Sequence, residues 1–309
     1  MAGRTQRTLV SAAALLAGLV TVVAVVAWLG TGGGSSVTTG PPPGAAQGIP
    51  PPPPAGSLVL AEEAGSYAVA LAAQPRRVTA TVLSPSGGPA SRLALKFRAG
   101  GRTLTATPCG PGCYRAGVQG RPRLVEALFG KQHATFRLPV ASRPANAIMN
   151  RATHVFQNLH SLVYVESLRS DPTHGLVTTW TLGAPDRVAY RIRGGASAVV
   201  IGKRRWDRTA PGKRWIRSAQ VPPLQVPTPT WGSGVSNAHL LGTARVGGRP
   251  VWVVSFANPS IPAFFTAWVD RQSYRTLQLR MTAAAHFMFH RYTEFDRPVS
   301  IKPPASGSS

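Results

Sequence analysis

The sequence predicts a mainly β protein with one N-terminal transmembrane helix, in which a small β-sandwich is followed by a curved antiparallel half-barrel wrapped on a helix. Three observations predict it. Residues 8–29 form one uncharged apolar run. Beyond a proline-rich stretch, the chain breaks into short runs in which apolar and polar residues alternate, the period of half-buried strands. One segment alone, 144–160, repeats its apolar residues at helical spacing.

The apolar run comes first. It carries Leu9, Val10, Leu15, Leu16, Leu19, Val20, Val22, Val23, Val25, Val26 and Trp28, and its 22 residues suffice for a bilayer core of about 30 Å. Arg4 and Arg7 precede it and no acidic residue does. The positive-inside rule then places residues 1–7 in the cytoplasm, 8–30 in the membrane and the rest outside. A cleaved signal peptide shares the positive flank. The length of the run and the lack of a clear Ala-x-Ala site favour a retained anchor. The expected location is the cell membrane, single-pass, with the later domains extracytoplasmic.

Residues 31–57 follow, with Gly32-Gly33-Gly34-Ser35-Ser36, Pro41-Pro42-Pro43 and Pro50 through Pro54. Such a segment has too little apolar surface to bury a core. Its Gly/Ser part is flexible and its proline runs extend as polyproline II, so it is expected to act as a spacer.

Between 58 and 141 lie Tyr67, Val69 and Leu71 alternating with alanines, then Val78–Val82, Leu93–Phe97, Leu124–Leu128 and Ala134–Leu138, separated by Gly/Pro turn signals. This spacing predicts a small antiparallel sandwich. Cys109 and Cys113 are the only cysteines. A pair this close suits a disulfide-closed loop in an oxidising compartment. Metal binding and free thiols are the other readings, and no second Cys pair exists to complete a zinc site.

The segment Ser84-Pro85-Ser86-Gly87-Gly88-Pro89, followed by Thr105-Ala106-Thr107-Pro108-Cys109-Gly110-Pro111-Gly112-Cys113-Tyr114, resembles the immunoglobulin-like modules of the FixH/YtkA-like group over about 80 residues. Such modules accompany CopC/CopD-type copper proteins, which implies copper traffic. The His-terminated copper motif of CopC-like domains is absent here.

The second outer domain, 143–304, opens with the helical segment. Ile148, Ala152, Val155, Phe156 and Leu159 fall on one helix face, and Pro144 suits a helix start. About eleven alternating segments follow, from Leu162–Leu168 to Ala285–Phe295, joined by short turns such as Gly194-Gly195 and Gly247-Gly248. One helix and many antiparallel strands predict a curved sheet wrapped over the helix. The Pro-rich stretch 219–236 is too long for a turn and is expected to form a lid or rim. Residues 305–309 are expected to form a disordered tail.

This order of elements resembles the LolA-like and LppX/LprG-like half-barrel lipoprotein carriers over about 160 residues. The resemblance includes Val199-Val200-Ile201-Gly202-Lys203-Arg204-Arg205-Trp206-Asp207-Arg208, Lys213-Arg214-Trp215 and Met281 through Tyr292. It implies an apolar cleft between sheet and helix that accepts acyl chains. The expected lining is Trp180, Trp206, Trp215, Trp252, Phe264, Phe265 and Trp268, which serve equally as core residues. The chain departs from the carriers by lacking a lipidated Cys and by carrying an extra domain.

Two other readings stay open. His286, Met288 and His290 alternate on a predicted strand and so share a face, and His with Met suits copper. This is the basis for an accessory role in copper homeostasis; the leading reading has no cofactor. In the third reading the domains only dock proteins. Catalysis lacks support: there is no G-x-S-x-G elbow, no H-E-x-x-H and no phosphate loop. Asp207, Asp270 and Asp296 sit at strand ends among arginines and read as salt-bridge partners. Glu166 has no partner near it in sequence, and His174 and His239 read as isolated solvent-side residues.

Charge narrows the partners. There are 34 Lys and Arg against 10 Asp and Glu, a formal charge of +24. Such a surface attracts polyanions, including anionic lipid head groups and phosphate-rich wall polymers. No nucleic acid partner is expected, because no nucleic-acid-binding module is recognisable and the expected location argues against one. The expected partners are a lipid or lipoprotein-type amphiphile and an anionic membrane surface or wall polymer.

Overall fold

The computed structural model describes residues 48–232 and 234–305. The proposed membrane span 8–30, the first part of the linker and the last residues of the tail lie outside the described residues. No helix among the described residues is long and apolar enough to cross a membrane.

The first domain is a two-sheet sandwich. One sheet has five strands, β1 (Leu58–Ala64), β2 (Tyr67–Gln74), β3 (Arg77–Leu83), β6 (Thr107–Gly110) and β7 (Cys113–Gly117), in the order β1-β2-β3-β7-β6. The other has four, β4 (Lys96–Ala99), β5 (Arg102–Thr105), β8 (Leu124–Phe129) and β9 (Gln132–Arg137), in the order β5-β4-β8-β9. Val69, Leu71, Val78 and Val82 from the first sheet meet Phe97, Val125 and Phe136 from the second. Tyr114 closes one side: its buried hydroxyl donates to the Ala90 carbonyl at 2.7 Å and accepts from the Leu93 N–H at 2.9 Å.

Cys109 and Cys113 are disulfide-bonded, with Cα atoms 5.0 Å apart. The bridge closes the turn between β6 and β7. Gly112 within it has φ +62°, and a β-carbon there would fall 2.7 Å from the Val82 carbonyl oxygen. Only glycine fits that approach.

The last part of the predicted spacer belongs to the folded unit. Pro50 is buried, and a β-carbon on Gly110 would meet the Pro51 ring at 3.2 Å. The Asn237 side-chain amide donates to the Pro54 carbonyl at 2.7 Å and to Ser57 Oγ at 2.8 Å. Polyproline II leaves its carbonyls unpaired, which makes them available to such a donor.

The second domain is one twelve-stranded antiparallel sheet and one helix. The chain order is β10 (Arg143–Pro144), α1 (Asn146–Gln157), β11 (Ser161–Arg169), β12 (Gly175–Gly183), β13 (Arg187–Ile192), β14 (Ser197–Ile201), β15 (Arg204–Arg208) and β16 (Ile216–Ala219). β17 (Ser236–Val246), β18 (Arg249–Ala257), β19 (Phe264–Asp270), β20 (Thr276–Ala283) and β21 (His286–Phe295) complete it. The spatial order β10-β17-β18-β19-β20-β21-β11-β12-β13-β14-β15-β16 puts the last strand beside the first long one. Met149, Ala152, Thr153 and Phe156 form the buried stripe of α1. Met149 and Thr153 thus take the central places that the sequence pattern gave to Ile148 and Val155; Ile148 packs at the margin.

The sandwich sits on the opposite face of this sheet. Val59, Ala61, Ala68, Ala70 and Ala72 pack against Ala257, Phe264 and Phe287. The alanines that alternate along β2 let the two sheets approach. Arg280 spans the joint, donating to both Glu62 carboxylate oxygens and to the Ala61 carbonyl.

Asp270 holds the turn between β19 and β20. Burial pushes its carboxyl up, but hydrogen bonds from the Ser273 N–H and hydroxyl and the Gln272 N–H, with the Arg249 guanidinium 3.1 Å away, outweigh this and bring it below the usual carboxylate range. A carboxyl more acidic in the folded than in the unfolded chain stabilises the fold above its unfolded pKa, and that contribution fades as pH falls through the folded value. Urea unfolding followed from pH 7 to pH 3 should therefore show an acid loss of stability that is smaller in Asp270→Asn.

Candidate functional site

Register and packing divide the half-barrel into two faces. On the face turned to α1, Glu166 and Tyr164 of β11 stand beside Thr178 and Trp180 of β12, and Trp180 beside Tyr190 of β13. On the other side of β11, Glu166 stands beside His290 and Tyr164 beside Tyr292. His290 in turn neighbours Leu279, and Met288 neighbours Met281. The rings form a continuous band. Tyr164 stacks on Trp180 at 6.0 Å, Trp180 meets Tyr190 at 4.8 Å, and Tyr164 meets His290 at 4.7 Å.

The helix covers only part of this concave face. Twelve strands at about 4.8 Å spacing make a sheet about 55 Å wide. The 12 residues of α1 rise only about 18 Å. Residues 220–232 form a second cover, with Leu224, Val226 and Trp231 packed into the same core as the helix. This strap has no regular secondary structure and is held by main-chain bonds from the Leu224 N–H to the Gly202 carbonyl and from the Val226 N–H to the Pro185 carbonyl. It delivers Trp231, fully buried, between helix and sheet. The Trp231 ring lies edge-on to Phe156 at 5.4 Å and to Phe256 at 6.2 Å, and its indole N–H donates to Thr153 Oγ1 at 2.9 Å.

One polar cluster interrupts the aromatic band. His290 Nε2 lies 2.7 Å from Glu166 Oε2, and His290 Nδ1 lies 3.0 Å from the Tyr292 hydroxyl. The two side chains are 1% and 6% exposed. Burial pushes the Tyr164 hydroxyl well above its ordinary pKa, with the Glu166 and Tyr292 charges adding to the shift. Burial raises Tyr292 too; a hydrogen bond with Thr230 works against that rise, and Glu166 adds to it. Thr178 Oγ1 and Trp180 Nε1 are buried without a hydrogen-bond partner.

The expected lining residues do not all share the concave face. Trp180, Trp252 and Phe265 lie there, packed with the core around α1. Phe264 points into the joint with the sandwich. Trp268 is on the same outward side, edge-on to Phe289 at 6.1 Å. Trp206 is outward on β15 with Arg204 over its ring at 5.7 Å, and Trp215 lies under Arg208 at 4.8 Å. In a strand, adjacent residues face opposite ways, so Phe264 and Phe265 could not both line one cleft.

His286, Met288 and His290 do share a face, as their alternation predicts. They do not converge: four residues of strand separate the two histidines by about 14 Å. His290 has both ring nitrogens engaged, and His286 Nδ1 lies 3.1 Å from the Ala284 carbonyl oxygen. The described residues contain no group of three or more His, Cys, Asp or Glu placed to hold a metal ion. His239 is buried rather than solvent-side, and His174 is exposed beside Asp171. Asp207, Asp270 and Asp296 make ion pairs with Arg205, Arg249 and Arg275. A separate cavity of about 210 Å³ lies at the joint between sandwich and half-barrel, lined by Leu58, Gln74, Arg121, Pro139 and His239 among others.

Sequence reasoning missed Trp231, Thr178 and the pairing of Glu166 with His290. Trp231 sits in a stretch with no periodic pattern. Glu166 and His290 are 124 residues apart and become neighbours only through the closing pair β11–β21.

No family model matches the chain, and no curated protein sequence does. Solved structures do match. The chain is similar to the lipoprotein LppX of Mycobacterium tuberculosis, with 12% identity and a TM-score of 0.38, over 50% of this chain and 97% of that one. It is similar to LprF of Mycobacterium bovis at 12% identity and a TM-score of 0.39, over 52% and 97%. A LolA-superfamily protein from Nitrosomonas europaea matches at 11% identity and a TM-score of 0.25, over 51% and 96%.

Proposed function

We propose that this chain is a membrane-anchored extracytoplasmic binding protein, without enzymatic activity, that holds a lipid or similar amphiphile on the concave face of its half-barrel. The observation that carries this reading is the mismatch between a wide aromatic and aliphatic face and its cover. One short helix and one irregular strap cover only part of it, which leaves apolar surface for an acyl chain to occupy. Each methylene transferred from water to such a face contributes about 0.8 kcal/mol, so an acyl chain is held without catalytic groups. The anchoring rests on the apolar run 8–29 and its positive flank.

The far end of the sheet supports the proposed association with an anionic membrane surface or wall polymer. Arg191, Arg204 and Arg217 project from its convex face, and at the same sheet edge Ile216, on the opposite face, and Val221 are 59% and 83% exposed. The sandwich, fixed to the convex face, leaves the concave face free and is proposed to act as a partner-docking module.

Native mass spectrometry of the full chain, released from detergent after incubation with a monoacylglycerol and a phospholipid, tests the reading. The expected result is a one-to-one adduct with an acyl-chain compound. A spectrum showing only the bare chain under both conditions would overturn it.

A further inference from the structure

The concave face carries one feature that an all-apolar cleft does not need. Thr178 is fully buried at the middle of β12, and its hydroxyl has no partner. The indole N–H of Trp180, two residues along on the same face, has none either. A buried polar group left unpaired costs about 1–3 kcal/mol. Both groups point to the side of the sheet where Glu166 and His290 meet, so four polar side chains from three adjacent strands gather at one place in an otherwise aromatic band.

We infer that this cluster is a recognition site for the head group of the amphiphile, and that the head group is neutral and bears a hydroxyl or ester oxygen. The inference rests on the binding function proposed above. The Trp180 N–H can only donate, so it calls for an acceptor oxygen, while the Thr178 hydroxyl both donates and accepts. An anionic head group is disfavoured, because the nearest ionisable acid is the Glu166 carboxylate and like charges in a buried site repel strongly. The charge balance within the cluster points the same way. Glu166 and His290 engage each other, and Tyr164 and Tyr292, which face them from β11 and β21, are held in their neutral forms by burial. Thr230 reaches His290 from the strap, with its hydroxyl 3.5 Å from Nδ1, so the strap closes over the cluster as well as over the apolar band. Arg205, which approaches from β15, is engaged by Asp207 through two hydrogen bonds and offers no free cation.

The test compares two probes of equal chain length, a monoacylglycerol and the corresponding alkane, on the full chain in detergent solution. Native mass spectrometry and intrinsic fluorescence titration report binding. The expected result is that the wild type prefers the monoacylglycerol over the alkane by at least about tenfold. Thr178→Val should reduce that preference severalfold while alkane binding stays unchanged, and Trp180→Phe should weaken monoacylglycerol binding by a larger factor than alkane binding. Thr178→Val preserves shape, and Trp180→Phe keeps an apolar aromatic ring while removing the N–H, so the alkane serves as the control for folding and for lost packing. Equal affinity for the two probes, or an unchanged preference for the monoacylglycerol in both variants, would overturn the head-group site while leaving an apolar cleft intact. Failure of both probes to bind would overturn the binding function itself.

Discussion

Replacing His290 with alanine is expected to cost about 3–5 kcal/mol of folding stability, measured by urea unfolding at neutral pH. The reason is the partner that remains. Glu166 is 4% exposed, and its carboxylate would lose the imidazole at 2.7 Å with no solvent to replace it. Removing one member of a buried pair leaves an uncompensated charge, a penalty of this size. Replacing both, as Glu166→Leu with His290→Leu, should cost less than the sum of the two single changes, because the double variant buries no orphan charge. The double-mutant cycle measures that difference, and strict additivity would show that the two side chains do not interact.

Trp231→Ala should be as damaging, at about 3–5 kcal/mol, the range for truncating a large aromatic residue in a core. Trp231 is the largest fully buried side chain among the described residues. Its loss empties the space between Phe156 and Phe256 and leaves the Thr153 hydroxyl without its donor. The consequence beyond stability is local. Because Trp231 fastens the strap, amide exchange across residues 220–232 should accelerate more than exchange in the sandwich. Trp206→Ala is the control. That side chain is half-buried on the convex face, and its loss should cost less than about 1 kcal/mol.

The strands of the half-barrel were legible because one face of the sheet meets a core and the other meets water over most of its width. Alternation survives under those conditions, and Leu162–Leu168 or Arg187–Arg193 read directly as β11 and β13. Where both faces are covered, the signal fades. β1 escaped detection because Val59 and Ala61 face the half-barrel while Leu60 and Ala64 face the sandwich core, so its burial does not alternate. β5 and β6 are four-residue strands that are largely exposed, with Pro108 inside β6. Neither presents an apolar period.

The joining of the two domains was hidden for a related reason. Ala68, Ala70 and Ala72 look like the solvent side of a strand, yet their small size is what permits the second sheet to pack there. Of the expected cleft residues, Trp180, Trp252 and Phe265 are on the concave face, and large aromatics alone could not separate them from Phe264, Trp206 and Trp268 on the convex one. Strand phase carries that distinction, and it becomes reliable only when register is known. The polar cluster was the least legible feature. Its members come from β11, β12 and β21, and only sheet closure brings the last strand to the first long one.

The most direct measurement is fluorescence quenching by a monoacylglycerol brominated along its acyl chain, added to the full-length protein in detergent solution. If the concave face holds the chain, bromine quenches the indoles there: the quenching should fall clearly in Trp180→Phe and stay as in the wild type in Trp206→Phe. Quenching that survives loss of Trp180 but disappears with Trp206, or no quenching at all, would contradict the account.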